Sequence, residues 1–413
     1  MGAFDRIWRK TSKGYERVTK KGSVENPELL DQAIEECTEA LKISPNDPEN
    51  HFRMGLLLCD KGLFDEGINE YEEVIAIDPV NENAFFKLGN ILLDKGLVDQ
   101  AITKYSEALR INPENAKAHY NLGVVLFRKE LFNEAIKEWR EALKINPEDA
   151  DGHNNLGFAL YINGSIDEAV NEYKEAIRVN PEHPIAHHNL GNAFADKGLL
   201  DEAMIEFKQA IRINPSDVLS HNNLGSAFYR KRSYPEAIKE YLEVVRINPE
   251  NAEAHMHLGD TFYDCGLLDE AMNELKEILR IDPTDSVAHF NMGVIFKKRG
   301  LLDEAIKEYQ EALRIDPKHG EAHFSLGVAF HRKGLLNEAI SEYRKALRIN
   351  PESPNAHANL GAALADMGFH NEAIKEFQEA LRLNPEDALA QKNLEITPGE
   401  KEFGEKDNGG KLS

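Results

Sequence analysis

Between Ile185 and Pro215 the apolar and small residues recur at gaps of three and four. In IAHHNLGNAFADKG they are Ala186, Leu190, Gly191 and Phe194, one face of a helix. The following LLDEAMIEFKQAIRINP repeats the pattern at Ala203, Met204, Phe207, Ala210, Ile211 and Ile213, and Pro215 ends it. The end chemistry agrees with two helices. Asp201 and Glu202 stand at the second start, where acceptors and negative charge are favoured, and Arg212 stands in its last turn. Gly198 closes the first helix. A glycine inside a helix costs about 1 kcal/mol against alanine. Gly191 opposite the small Ala203 therefore predicts a close approach of the two helices.

The same pair is written again and again. Glycine recurs every 34 residues from Gly55 to Gly361, and proline keeps the same beat from Pro79 to Pro385, so ten units follow without an insertion. One pair cannot bury its own apolar face; stacking supplies the core. The unit containing Asn121-Leu122-Gly123, Ala135, Trp139, Ala142 and Pro147 resembles the tetratricopeptide repeat. The resemblance covers residues 48–386 and implies an all-α, right-handed superhelical solenoid of antiparallel helix pairs. Departures are few: Gly67 replaces the first Ala, Leu275 replaces the aromatic, and Val74, Val244 and Ile278 replace the second Ala. Wider packing is expected there.

The remaining segments are short. Residues 23–47 hold a second helix with Ala33, Ala40 and Pro45 in register but lack the Leu-Gly pattern, and read as a degenerate half repeat that caps the stack. Residues 387–396 start another first helix that fails at Pro398-Gly399, a second cap. Residues 397–413 are charged and glycine-rich and are expected to be disordered. In residues 1–22, Phe4, Ile7, Trp8, Thr11, Tyr15 and Val18 trace one helical face among seven Lys or Arg residues. That segment either covers the first repeat or lies on an anionic membrane.

Composition narrows the function. The 413-residue chain has a formal charge of -23, which argues against general attraction to nucleic acid. Cys37, Cys59 and Cys265 form no CxxC pair, which fits free thiols in a cytoplasmic setting. No apolar run suits a membrane span or a secretory signal. The Met1-Gly2 start lacks the Ser or Thr of a myristoylation motif, holding Arg6 there. No GxxxxGK[ST], HExxH or GxSxG occurs, and no segment outside the repeats would hold a catalytic domain. A non-enzymatic scaffold without cofactor is expected.

By the resemblance, ligands lie in a concave groove lined by first helices, at the offsets of Phe52, Arg53, Leu56, Cys59 and Asp60. Asparagine precedes the Leu/Met-Gly step at Asn121, Asn155, Asn189, Asn223, Asn291 and Asn359, broken by Arg53, Lys87, His257 and Ser325. An amide carries donor and acceptor, so a row of them can hold the backbone of an extended peptide. This row is similar to the asparagine ladder in the repeat arm of O-linked N-acetylglucosamine transferases. Aromatic groove positions include Tyr120, Phe127, Phe158, Tyr161, Tyr229 and Phe290, which serve binding or repeat packing. Lys297, Lys298 and Arg299 lie beside His331, Arg332 and Lys333, a candidate receiver for an acidic segment or a complement to helix dipoles. The carboxylate clamp of chaperone-binding relatives is not matched.

Histidines recur at one offset from His51 to His357. Helices packed about 8–10 Å apart cannot bring such a column onto one metal ion, so packing is expected, with a weak collective pH response. Most net negative charge falls on second helices and turns, as solvated surface. The leading reading is a scaffold for extended peptide segments of other proteins. Self-assembly, end to end or through the convex face, and membrane adaptation through residues 1–22 are the alternatives.

Overall fold

First helices start where a short polar side chain can take up a free backbone N–H. Asn115 Oδ1 accepts from Ala118 N at 2.9 Å, and Asn81, Asp149, Asn251 and Asp285 do the same for their helices. At His183 and His319 the ring Nδ1 is the acceptor. Second helices have no side-chain cap, and rely on acidic first turns such as Asp201 and Glu202. Each repeat ends as the chain extends into its Pro, with Asn214 N–H bonded to Ala210 O.

The computed structural model describes residues 27–397. The expectations for residues 1–22, the first residues of the amino-terminal half repeat and the tail beyond Thr397 lie outside it. Every regular element among the described residues is helical. In chain order they are α1 (Pro27–Ile43), α2 (Pro48–Asp60), α3 (Phe64–Ile77), α4 (Glu82–Asp94), α5 (Val98–Ile111) and α6 (Ala116–Arg128). Next come α7 (Phe132–Ile145), α8 (Ala150–Ile162), α9 (Ile166–Val179), α10 (Pro184–Asp196), α11 (Leu200–Ile213) and α12 (Val218–Arg230). Then follow α13 (Tyr234–Ile247), α14 (Ala252–Asp264), α15 (Leu268–Ile281), α16 (Ser286–Lys298) and α17 (Leu302–Ile315). Last are α18 (Gly320–Arg332), α19 (Leu336–Ile349), α20 (Pro354–Asp366), α21 (His370–Leu383) and α22 (Ala388–Ile396). None of these helices is long and apolar enough to cross a membrane.

The chain divides at Ala227/Phe228 into two compact units. In both, helices consecutive in sequence pack as antiparallel pairs and the pairs stack, the arrangement of a tetratricopeptide solenoid. First helices of neighbouring repeats also touch, α4 with α6 and α8 with α10 in the first unit, and α16, α18, α20 and α22 in series in the second. They form one face. In most pairs the glycine of the first helix lies against a ring of the second: a Cβ at Gly191 would come 2.6 Å from Phe207, and one at Gly123 2.8 Å from Trp139. That close approach replaces the burial a larger side chain would give.

The departures behave differently from one another. At Gly67 there is no widening; a Cβ there would meet Cys59 Sγ at 2.5 Å, so the missing methyl admits the thiol. Val74, Val244 and Ile278 are fully buried and fill their places. Only Leu275 leaves space. The first unit carries one continuous apolar core from Cys59 to Ala193. In the second unit the core breaks into separate clusters, around Tyr241, Leu275, Tyr309 and Phe377.

Candidate functional site

The asparagines of the first unit are spent inside the stack. Asn121 Nδ2 donates to Asn90 Oδ1 at 2.8 Å, and the Tyr105 hydroxyl donates to the same oxygen at 2.7 Å. Asn155 Nδ2 donates to the Tyr120 hydroxyl at 2.8 Å, and Asn189 Nδ2 to Asn154 Oδ1 at 3.0 Å. Asn121, Asn155 and Asn189 are all buried. This corrects the expectation that they line an open groove: a buried amide must be paired, and here the neighbouring repeat pairs it. Asn223 is half-buried and donates to Asn192 Oδ1 at 2.7 Å. Asn192 Nδ2 in turn donates to His188 Nε2 at 3.0 Å, so the other ring nitrogen, 2.9 Å from Ser220 Oγ, holds the proton. Burial keeps the pKa of His188 below its ordinary value, the nearby Asp217 opposing, so the ring is neutral.

The aromatic candidates divide the same way. Tyr120, Phe127 and Phe158 are buried, with Phe127 and Phe158 ring centroids 5.7 Å apart; their part is core, a second correction. Tyr161 and Tyr229 are half-buried and their hydroxyls donate to Asp196 and Asp264. Burial, with the bond to Asp196 next, pushes the Tyr161 hydroxyl up to about 12. Phe290 is half-buried between Tyr309 and His319, at ring distances of 5.7 and 4.8 Å.

In the second unit the inner row is open. Val294 and Val328 stand where the first unit has Asn90, and both are half-buried. The hydroxyls of Tyr309 and Tyr343, equivalent to that of Tyr105, are buried without a hydrogen-bond partner; Tyr309 points toward Ser325 but makes no bond of normal geometry. Asn291 donates only to Met256 Sδ at 3.5 Å, and Asn359 to the Asn355 carbonyl at 2.8 Å.

The basic cluster is smaller than its six residues. Arg299 pairs with Asp269 at 2.5 Å, Lys333 with Asp303, and His331 with Asp366 at 2.9 Å. Lys298 Nζ lies 4.0 Å from the Tyr263 ring centroid. Lys297 and Arg332 remain as a pair of cations facing the same side. Burial first and Arg332 second hold the Lys297 ammonium below its ordinary pKa.

The histidine column is a structural tie. His119 Nδ1 is 2.6 Å from Glu138 Oε2, and its Nε2 is 3.0 Å from the Pro113 carbonyl. The carboxylate contact, 19 residues on, recurs for His51, His153, His187, His255, His289, His323 and His357. Each of these rings thus joins the first helix to its own second helix, and all but His289 also reach the carbonyl of the preceding Pro. No metal-binding cluster occurs among the described residues. All three cysteines are free, Cys37 and Cys59 buried and Cys265 exposed.

Two features escaped the sequence reading. Cations at the first-helix ends reach back 30 residues to carboxylates, Lys61 to Asp31 at 2.5 Å and Lys95, Lys129 and Lys197 to Asp65, Asp99 and Asp167. Polar residues 31 or 35 apart tie first helices to each other, as above. Both were visible as fixed spacings, but pairing needs the stack to be assembled first. A depression of about 940 Å³ lies on the second-helix side of α17 and α19, beside Leu313, His323, Glu342 and Lys345.

A family model described as TPR repeat matches residues 55–96, 89–130, 131–164, 159–198, 191–232, 295–334 and 329–368. Models described as Tetratricopeptide repeat match 222–286 and 354–387. No curated protein matches the chain. Among solved structures it is similar to MamA, at 28% identity over 40% of this chain and 96% of that one, with a TM-score of 0.38. It is similar to pilF of Pseudomonas aeruginosa, at 25% identity over 50% and 93%, with a TM-score of 0.44. Cut9 with Hcn1 of the APC/C is similar at 14% identity over 90% and 94%, with a TM-score of 0.45.

Proposed function

Because the chain belongs to the tetratricopeptide repeat family, we propose that it is a non-enzymatic scaffold that binds extended peptide segments of other proteins along the first-helix face of its second unit. One contrast carries the reading. Tyr105 finds Asn90, whereas Tyr309 and Tyr343 face Val294 and Val328 and keep their hydroxyls unspent. A buried hydroxyl without a partner costs about 1–3 kcal/mol, so this row is not tied off by polar pairs within the stack, and the half-buried Val294 and Val328 leave apolar surface for a peptide to cover. Asn291, Asn359 and Phe290 supply further amide and ring contacts, and Lys297 with Arg332 favours an acidic residue in the segment. The three free thiols support a cytoplasmic setting.

Selection from a random peptide display library against the full chain tests this. Selected peptides are expected to lose at least about tenfold in affinity to Val294→Arg and Val328→Arg, with helical circular dichroism unchanged. Equal affinity for both variants, or no peptide selected at all, removes the first-helix face as the recognition surface.

A further inference from the structure

Eight described helix pairs place a ring beneath the first-helix glycine. An added Cβ would lie between 2.5 and 3.0 Å from that ring at Gly55, Gly89, Gly123, Gly157, Gly191, Gly293, Gly327 and Gly361. At Gly259 the nearest atom is Glu274 Cβ at 3.7 Å, because the second helix offers Leu275, whose Cγ is 4.0 Å away. A cavity of about 150 Å³ takes the place of the ring. Gly259, Leu275 and Ile295 form its buried floor, and half-buried Val294 one wall. Exposed Asp260 and half-buried Tyr263 and Asn291 stand at the mouth, on the first-helix face.

We infer that this cavity is an anchor pocket for an aromatic side chain, tryptophan or tyrosine, of the bound segment, which supplies from the partner the ring that Leu275 lacks. The volume suits an aromatic ring: an apolar cavity of about 150 Å³ lined by Leu, Ile and Phe is known to take up benzene. The mouth selects a ring with a donor at its edge. Asp260 makes no hydrogen bond or ion pair among the described residues, and the Asn291 amide has only a thioether. Both offer oxygen acceptors to an indole N–H or a phenol O–H. Burial raises the pKa of Asp260, with His257 opposing and Asp264 adding, as befits a carboxyl set partly into an apolar wall. Buried aromatic anchors dominate the energetics of many interfaces, and a preformed hole costs no rearrangement to fill.

This inference rests on the peptide-binding reading for its partner, and the test separates the two. Indole is titrated into the full chain, methyl-labelled at Leu, Val and Ile, and followed by NMR. Saturable shifts are expected at the Leu275, Val294 and Ile295 methyls. Leu275→Phe, which restores the ring, is expected to weaken binding at least tenfold. Gly259→Ala, whose methyl enters free space, serves if the Phe variant misfolds and is expected to weaken it several-fold. Methyls that do not respond, or indole binding that survives both substitutions, overturn the pocket. Selected peptides that bind the first-helix face equally well after their aromatic residues are changed to alanine also overturn it, while leaving the peptide reading intact. Indole binding without any peptide binding overturns the partner assignment together with that reading.

Discussion

Single residues show where the repeat pattern is enforced by contact and where it is not. Glycine follows the first-helix end at Gly62, Gly96, Gly164, Gly198, Gly266, Gly300, Gly334 and Gly368, all at positive φ. Glu130 and Arg232 hold the same conformation at φ 63 and 60 with a side chain in place. The left-handed conformation costs a side-chain-bearing residue about 1–2 kcal/mol. Glu130→Gly is therefore expected to stabilise the protein by about 1 kcal/mol, read by urea unfolding. Mid-helix glycines divide by what faces them. Gly191→Leu should cost about 1–3 kcal/mol, since its Cβ alone would meet Phe207 at 2.6 Å. Gly259→Ala should instead stabilise by about 1 kcal/mol through helix propensity, because no atom stands in its way. Equal melting shifts for the two would contradict the ring-contact account.

At the scale of the element, the helices and their pairing were legible because their causes are local. Ala186, Leu190 and Phe194 define a face, and Pro215 and Gly198 stop the chain, whatever lies elsewhere. The asparagines were misjudged for the opposite reason. Asn121 looks the same in sequence whether a peptide or Asn90 receives its amide, and only stacking brings Asn90 within 2.8 Å. The histidines fall between these cases: their offset predicted packing, and the structure adds the carboxylate and the carbonyl. At His119 those two acceptors are best met by a ring with both nitrogens protonated. For His119 the bond to Glu138 leads, with the Pro113 carbonyl, in holding the pKa above the ordinary 6.5 against burial. His51 and His153 are also raised, although burial opposes them most strongly. A raised histidine stabilises fully below its unfolded pKa and loses that contribution as pH climbs through the folded value. Melting temperature is thus expected to fall as pH rises above 6.5. Glu138→Gln should lower stability near pH 6 by about 1 kcal/mol and flatten that fall. A melting temperature independent of pH in both proteins would refute the tie.

For the molecule as a whole, packing partners are neighbours in sequence. Stability then accumulates repeat by repeat, and a chain cut at a repeat border keeps its structure. A protein of residues 1–215 is expected to retain its helical circular dichroism per residue and to unfold cooperatively. Loss of helicity would show that distant contacts hold the first unit together. The surface ion pairs, from Lys61–Asp31 to Lys333–Asp303, are solvent-exposed on at least one side and add little each.

The buried amide ties have another consequence. Nearly identical repeats are interchangeable as docking partners, which invites a repeat to join the wrong neighbour or a second chain. The ties are of three kinds: Asn121 to Asn90 and Asn223 to Asn192 pair amides 31 residues apart, while Asn155 meets the Tyr120 hydroxyl and Asn189 meets Asn154, each 35 apart. Joining repeats whose ties are of different kinds would bury an unpaired amide, so the ties narrow where a repeat can dock. Replacing Asn90 and Asn121 by valine leaves the apolar fit and removes the tie, and exchange of repeats between chains is then expected as dimers in size-exclusion chromatography after refolding.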